Sequence, residues 1–227
     1  MKKFLVTSAI LSAFAIATPA MAQTQCEHSA SVGHDSGRLF AKQGMDFYQG
    51  STWIFDYTLS CGGAYTNLWR AQTSDRPFNE TDWRIGYAGN VTSNLSYDAS
   101  VALYELYGPE AYELSGEGTY TINDNWSLTG DVDIVRGGFE TNTFLGEVVW
   151  SDELFGNLSA TGSTGISFDT WSEDVVGHYS LGVSFPIVWD IVGNASVKGF
   201  VVLDEGDPSQ SNDEDAAIVS LALSRNF

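Results

Sequence analysis

Positive charge is what this chain lacks most. Ten Lys and Arg stand against 29 Asp and Glu, for a formal net charge of −19 at pH 7. A chain so acidic is not built to grip a phosphate backbone, which excludes nucleic acid as a partner. Downstream of Ala22 no apolar run approaches the roughly 20 residues that a membrane helix needs. If the mature chain enters a membrane, it must therefore do so as a closed barrel, which satisfies its backbone groups from strand to strand. Catalytic and metal signatures are also missing: there is no Gly-x-Ser-x-Gly elbow, no zinc spacing and no phosphate loop. The acidic run Asp204, Glu205, Asp207, Asp213, Glu214, Asp215 lacks the alternating ligands, central Gly and terminal Glu of a calcium loop, so it reads as a solvated loop and no metal or cofactor is assigned.

The front of the chain carries Lys2 and Lys3, an apolar run from Phe4 to Ala17, and Pro19-Ala20-Met21-Ala22. This is the order of a cleaved export signal, expected to span residues 1–22 and to leave 23–227 as the mature domain. Loss of its two lysines makes the mature chain more acidic still. Export also bears on the only two cysteines, Cys26 and Cys61. Cys26 has no Leu-x-x-Cys context for lipidation, and in an oxidising periplasm a pair is expected to bridge, the alternative being two free thiols.

Strict alternation dominates what remains. In the last eleven residues Val219, Leu221, Leu223 and Phe227 fall on one face and Ser220, Ser224 and Asn226 on the other. An alternating strand that ends on an aromatic residue reads as the terminal strand and assembly signal of an outer-membrane barrel. The same period runs through Trp53 to Leu59, Ala64 to Gln72, Trp83 to Tyr87, Leu95 to Leu103, Tyr112 to Ile122, Trp126 to Ile134, Phe144 to Trp150, Leu158 to Phe168, Tyr179 to Phe185 and Trp189 to Val201. Turn residues separate these segments. With the terminal strand they number eleven, and an even barrel asks for a weak first strand between Ser29 and Phe40. The expected fold is all-β: a transmembrane, antiparallel, up-and-down barrel of about 12 strands with short periplasmic turns. Cys61 to Gly63, Asn90 to Ser93, Asn123 to Asn125, Ser151 to Gly156 and the Pro186 region fill the periplasmic slots. Cys26 and Cys61 then share one side of the membrane, and a bridge would pin the N-terminus to the first turn. A soluble exported β-sandwich would alternate too, but its greasy set would face inward between two sheets.

Several motifs in order resemble the TorF-type porin family of Gram-negative bacteria: Tyr48-Gln49-Gly50 leading into Phe55-Asp56-Tyr57, Gly63-Ala64-Tyr65 to Trp69, Glu80-Thr81-Asp82 before Gly86-Tyr87, Leu95-Ser96-Tyr97-Asp98 with Tyr104, Tyr179 to Ser184, and Val219 to Phe227. The resemblance spans most of the mature chain. It implies an outer-membrane channel and supplies no catalytic residues.

If the apolar set faces lipid, the lumen receives Asp56, Asp82, Asp98, Glu113, Glu117, Asp131, Asp133 and Glu147 against Arg84 and Lys198. Fixed acids on a low-dielectric wall enrich cations, so the expected function is passive diffusion of small polar or cationic solutes through an acidic lumen. Small residues, among them Ser159, Thr161, Ser163, Gly165, Ser180, Gly182 and Ser184, leave room beside it. The expected partners are outer-membrane lipids and lipopolysaccharide, the outer-membrane assembly machinery and small solutes. Two other readings stay open: a non-conducting structural or adhesion barrel, and a membrane-lipid hydrolase using His178 and Ser180. The second lacks a third group to orient the His, and the expectation is that the chain is not an enzyme.

Overall fold

The computed structural model describes residues 26–36, 39–40, 46–48, 51–73, 79–105, 111–138, 140–155, 158–170, 173–188, 191–204 and 216–227. The expected export signal over 1–22, Trp189 and most of the acidic run lie outside these residues. The strands in chain order are β1 (Cys26–Ser36), β2 (Leu39–Phe40), β3 (Asp46–Tyr48), β4 (Thr52–Cys61), β5 (Ala64–Thr73), β6 (Asn79–Asn90), β7 (Leu95–Glu105), β8 (Ala111–Thr121), β9 (Trp126–Gly137), β10 (Thr141–Glu153), β11 (Ser159–Asp169), β12 (Val175–Val188), β13 (Ile191–Asp204) and β14 (Ala216–Asn226).

Among the described residues, β1 and β4 to β14 form one closed antiparallel barrel of twelve strands, while β2 and β3 pair only with each other. The seam closes from Ser29 opposite Asn226 to Ser36 opposite Val219. It continues past the strand end, where the Phe227 amide donates to the His28 carbonyl at 2.8 Å. No described barrel strand is left with an unpaired edge, which is the condition for a sheet to sit in hydrocarbon.

Every second connection, starting with the one after β4, lies at the end that holds Cys26 and Phe227. Those after β4, β6 and β8 are tight because their residues satisfy the backbone locally. Gly62 and Gly63 both adopt positive φ, 58° and 92°, in the two-residue turn between β4 and β5, the backbone that a type I′ hairpin requires. Asn123 accepts the amides of Asn125 and Trp126 on its side-chain oxygen at 2.9 and 3.0 Å. Thr92 accepts those of Asn94 and Leu95 at 3.3 and 3.1 Å.

Alternation resolves into an apolar outside and a polar inside. Leu181 is 61% exposed and Ile85 58%, whereas Asp133 is 2% and Asp131 4%. The sandwich alternative requires the reverse, and the closed ladder removes it. A continuous apolar exterior of this kind is what a bilayer covers.

Several strand boundaries differ from the sequence reading, β6 for one running from Asn79 to Asn90. The first strand begins at Cys26 and ends at Ser36 rather than falling between Ser29 and Phe40. Its inward residues are Ser29, Ser31 and Gly33, and of its outward residues His28, Ala30, Val32 and His34 only two are apolar, so pairing with both β14 and β4 is what defines it. β10 continues through Glu153 before turning. β12 runs past Pro186 to Val188, with a register irregularity between the two. A proline without an amide hydrogen is tolerated at such a bulge.

Cys26 and Cys61 are register partners at the ends of β1 and β4, and they are joined by a disulfide with Cα atoms 4.4 Å apart. The bridge clips the first two barrel strands together across a sequence separation of 35 residues. A loop of that size is worth about 3–4 kcal/mol by the chain-entropy relation. Reduction, or the double substitution Cys26→Ser with Cys61→Ser, is expected to lower the unfolding free energy of the refolded protein in urea by about 2–4 kcal/mol. Thiol labelling before reduction should find no free sulfhydryl.

Candidate functional site: the inner face of the barrel

Register and burial place all the residues that the sequence assigned to the lumen on the inward parity of their strands. Asp98 on β7 faces Glu117 on β8, which faces Asp131 on β9. Three carboxylates are thus direct cross-strand neighbours, a spacing at which like charges repel unless something compensates. Asp133, two residues beyond Asp131, faces Ser115 on one side and Thr143 on the other. The hydroxyl of Ser115 donates to Asp131 at 3.5 Å. Asp56 accepts a hydrogen bond from the Asn67 amide at 2.9 Å.

Arg84 lies inside this acidic wall and is fully engaged by it. Its guanidinium donates to Glu113 at 2.8 Å and to Ser100 at 3.0 Å, and the Tyr104 hydroxyl donates to the other oxygen of the same Glu113 carboxylate. Tyr65 reaches across β6 to donate to Asp98 at 2.7 Å. Gly86 makes that reach possible, because a Cβ there would lie 2.3 Å from the Tyr65 ring.

The opposite wall is different in kind. On β11 to β14 the inward positions are mostly Ser, Thr and Gly: Ser163 and Ser180 share a hydrogen bond at 2.8 Å, and Ser184, Asn194 and Ser224 form a chain at 2.6 and 3.1 Å. Lys198 and Thr161 are exposed although they point inward, so solvent reaches this side of the interior. Farther along, Val176, Phe200 and Ile218 make a small buried apolar cluster across β12 to β14.

Glu147 bridges the two walls. It faces Gly165 on β11, which faces His178 on β12, and His178 Nε2 lies 3.2 Å from the Glu147 carboxylate. A Cβ on Gly165 would stand 2.3 Å from the Gly146 carbonyl oxygen and 2.7 Å from the His178 ring, so glycine is what lets the pair meet. Glu147 is an orienting carboxylate for His178 that spacing did not reveal. A nucleophile is not poised there, since the Ser180 hydroxyl bonds Ser163 and His178 Nδ1 has no hydrogen-bond partner.

The inward aromatics Tyr65, Trp69 and Tyr104 escaped the sequence reading. Strand β5 carries apolar residues on both faces, Leu68 and Ala64 on one and Tyr65 and Trp69 on the other, so hydropathy does not choose its parity. The signal that does is the two-residue turn at Gly62-Gly63, which makes Ser60 face Tyr65 and Asp56 face Trp69.

No family model matches this sequence, and no curated protein does. Solved structures match its fold. A KdgM porin is 11% identical, with a TM-score of 0.64, over 88% of this chain and 99% of that one. A NanC porin is 8% identical, with a TM-score of 0.58, over 87% and 98%. An outer-membrane channel of Pseudomonas putida F1 is 8% identical, with a TM-score of 0.54, over 92% and 97%. The chain thus has the fold of outer-membrane porin barrels, and the match spans nearly the whole of each of these structures.

Glu113 is 5% exposed and neutralised chiefly by Arg84. Arg84→Met is expected to destabilise the barrel at the low end of the roughly 3–5 kcal/mol seen for a broken buried pair, because the arginine side chain itself keeps 23% exposure. A shift of the urea midpoint against wild type measures this, and adding Glu113→Gln to the Arg84→Met variant should recover most of it.

Proposed function

We propose that this protein is an outer-membrane channel through which small polar and cationic solutes diffuse passively, guided by an acidic inner wall. The observation that carries the reading is the unbroken row Asp98, Glu117 and Asp131 across three adjacent strands, set opposite an open wall of hydroxyls and glycines. Among the described inward residues Arg84 is held by Glu113, and Lys198 is the exposed base. In a low-dielectric cylinder such an excess of fixed negative charge raises the local cation concentration. One of the similar structures is described as a KdgM porin in complex with disordered oligogalacturonate, a polyanion. The acidic wall here favours solutes of the opposite sign.

On this reading the export signal is removed, the exterior contacts outer-membrane lipid and lipopolysaccharide, and the terminal strand with Val219, Leu221, Leu223 and Phe227 is what the assembly machinery recognises. The motifs shared with TorF-type porins fit this assignment, and no catalytic step is involved. A non-conducting structural barrel is the second reading, favoured by the near-complete burial of Asp131, Asp133 and the Val176 cluster, which fill part of the cross-section.

Reversal potentials in a KCl gradient across planar bilayers separate these readings. Wild type is expected to prefer potassium over chloride, Asp98→Asn with Glu117→Gln and Asp131→Asn to lose most of that preference, and Lys198→Gln to increase it. Chloride preference overturns the selectivity, and absence of conductance supports the structural barrel. The membrane assignment is checked by heat-modifiable gel migration of the outer-membrane fraction, where the unheated band should run apart from the boiled one.

A further inference from the structure

Four inward residues on adjacent strands alternate in chemistry. Asp56 on β4 faces Trp69 on β5, Trp69 faces Asp82 on β6, and Asp82 faces Tyr104 on β7. Each of the four is half-buried. Directly opposed side chains on neighbouring strands have Cβ atoms about 5 Å apart. The row therefore sets aromatic rings beside carboxylates within the roughly 6 Å over which a ring face attracts a cation. Because the strands are staggered, it climbs from the middle of β4 to the end of β7 away from the tight turns.

Its members are positioned rather than loose. Asn67 donates to one Asp56 oxygen at 2.9 Å, and the Tyr104 hydroxyl is tied to Glu113. The nearest base on the same face, Arg84, donates to Glu113 and Ser100 rather than to a member of the row. Asp82 Oδ1 is shielded from solvent and has no hydrogen-bond partner, an arrangement that calls for an explanation in a native interior.

We infer that Asp56, Trp69, Asp82 and Tyr104 form a binding subsite for organic ammonium ions on the path through the barrel. The physical reason lies in the alternation. A small inorganic cation keeps its water and reads only the carboxylates. An alkylated ammonium is weakly hydrated, so it gains from ring faces and carboxylates together. Acids alone would favour any cation, and aromatic rings alone would favour any greasy solute. The inference rests on the cation-preferring reading above and adds the class of solute.

Choline chloride is the probe, titrated by calorimetry into the refolded barrel in detergent, with sodium chloride at equal ionic strength as the control. Wild type should bind choline, and Trp69→Leu should bind it roughly three- to tenfold more weakly. Trp69→Phe, which keeps a ring face, should retain most of the affinity. Asp82→Asn, which changes charge without changing size, should weaken it and guards against a Trp69→Leu protein that does not fold. Reversal potentials are recorded on the same preparations. Absence of choline binding, or equal binding by wild type, Trp69→Leu and Asp82→Asn, in a barrel that still prefers potassium overturns the subsite and leaves the channel standing. Chloride preference overturns the channel reading instead, and the calorimetry then still judges the subsite.

Discussion

A sheet that closes on itself leaves no amide or carbonyl of its ladder without a partner, and the rest of this protein depends on that closure being completed at one seam. The seam joins the first barrel strand to the last, so the two ends of the chain must meet. Phe227 pairs with His28 just beyond the strand proper, and the Cys26–Cys61 bridge ties β1 to its other neighbour at the same end. β1 is the strand with the least hydropathy contrast, and it is also the one with most to hold. The disulfide compensates for a weak strand where pairing is most exposed to fraying.

Closure imposes parity on every residue at once. With each strand in register with both neighbours, one choice of face at Gly62-Gly63 or at Asn123 propagates around the barrel. The apolar half then has nowhere to go but outward, while carboxylates, hydroxyls and a few aromatics are collected inside. The interior is not uniform. Acids gather on β4 and β6 to β10, and small hydroxyl residues on β11 to β14, with Glu147 and His178 linking the two across Gly165. Such lateral segregation leaves a charged wall facing an open one.

The acidic wall also shows why charge alone does not describe the interior. Asp98, Glu117 and Asp131 stand side by side on neighbouring strands, while Glu113 is tied to Arg84 and to Tyr104. Two acids on the same strand, Glu113 and Glu117, therefore have different neighbours: one is held by Arg84 and Tyr104, and the other stands between Asp98 and Asp131. The same holds for the bases, since Arg84 is spent on structure and Lys198 remains in solvent.

Alternation with a two-residue period, turn residues between segments and an aromatic end were enough to read a barrel and eleven of its strands, because each is a local property of the chain; the twelfth was added only because such barrels close with an even number. Strand parity followed wherever the two faces differ in hydropathy, as in Tyr112 to Thr121 or Trp126 to Val135. It failed on β5, where both faces are apolar, and at β1, where only Ala30 and Val32 mark the outer face; the inward Trp69 and Tyr65 and the true start at Cys26 were hidden for that reason. What only the tertiary structure decided is which residues from distant strands stand next to each other: Glu147 with His178, Arg84 with Glu113, Asp56 with Trp69 and Asp82. Those neighbours depend on the register and stagger of a closed sheet, which are set by pairing around the whole barrel and are written in no single segment of the chain.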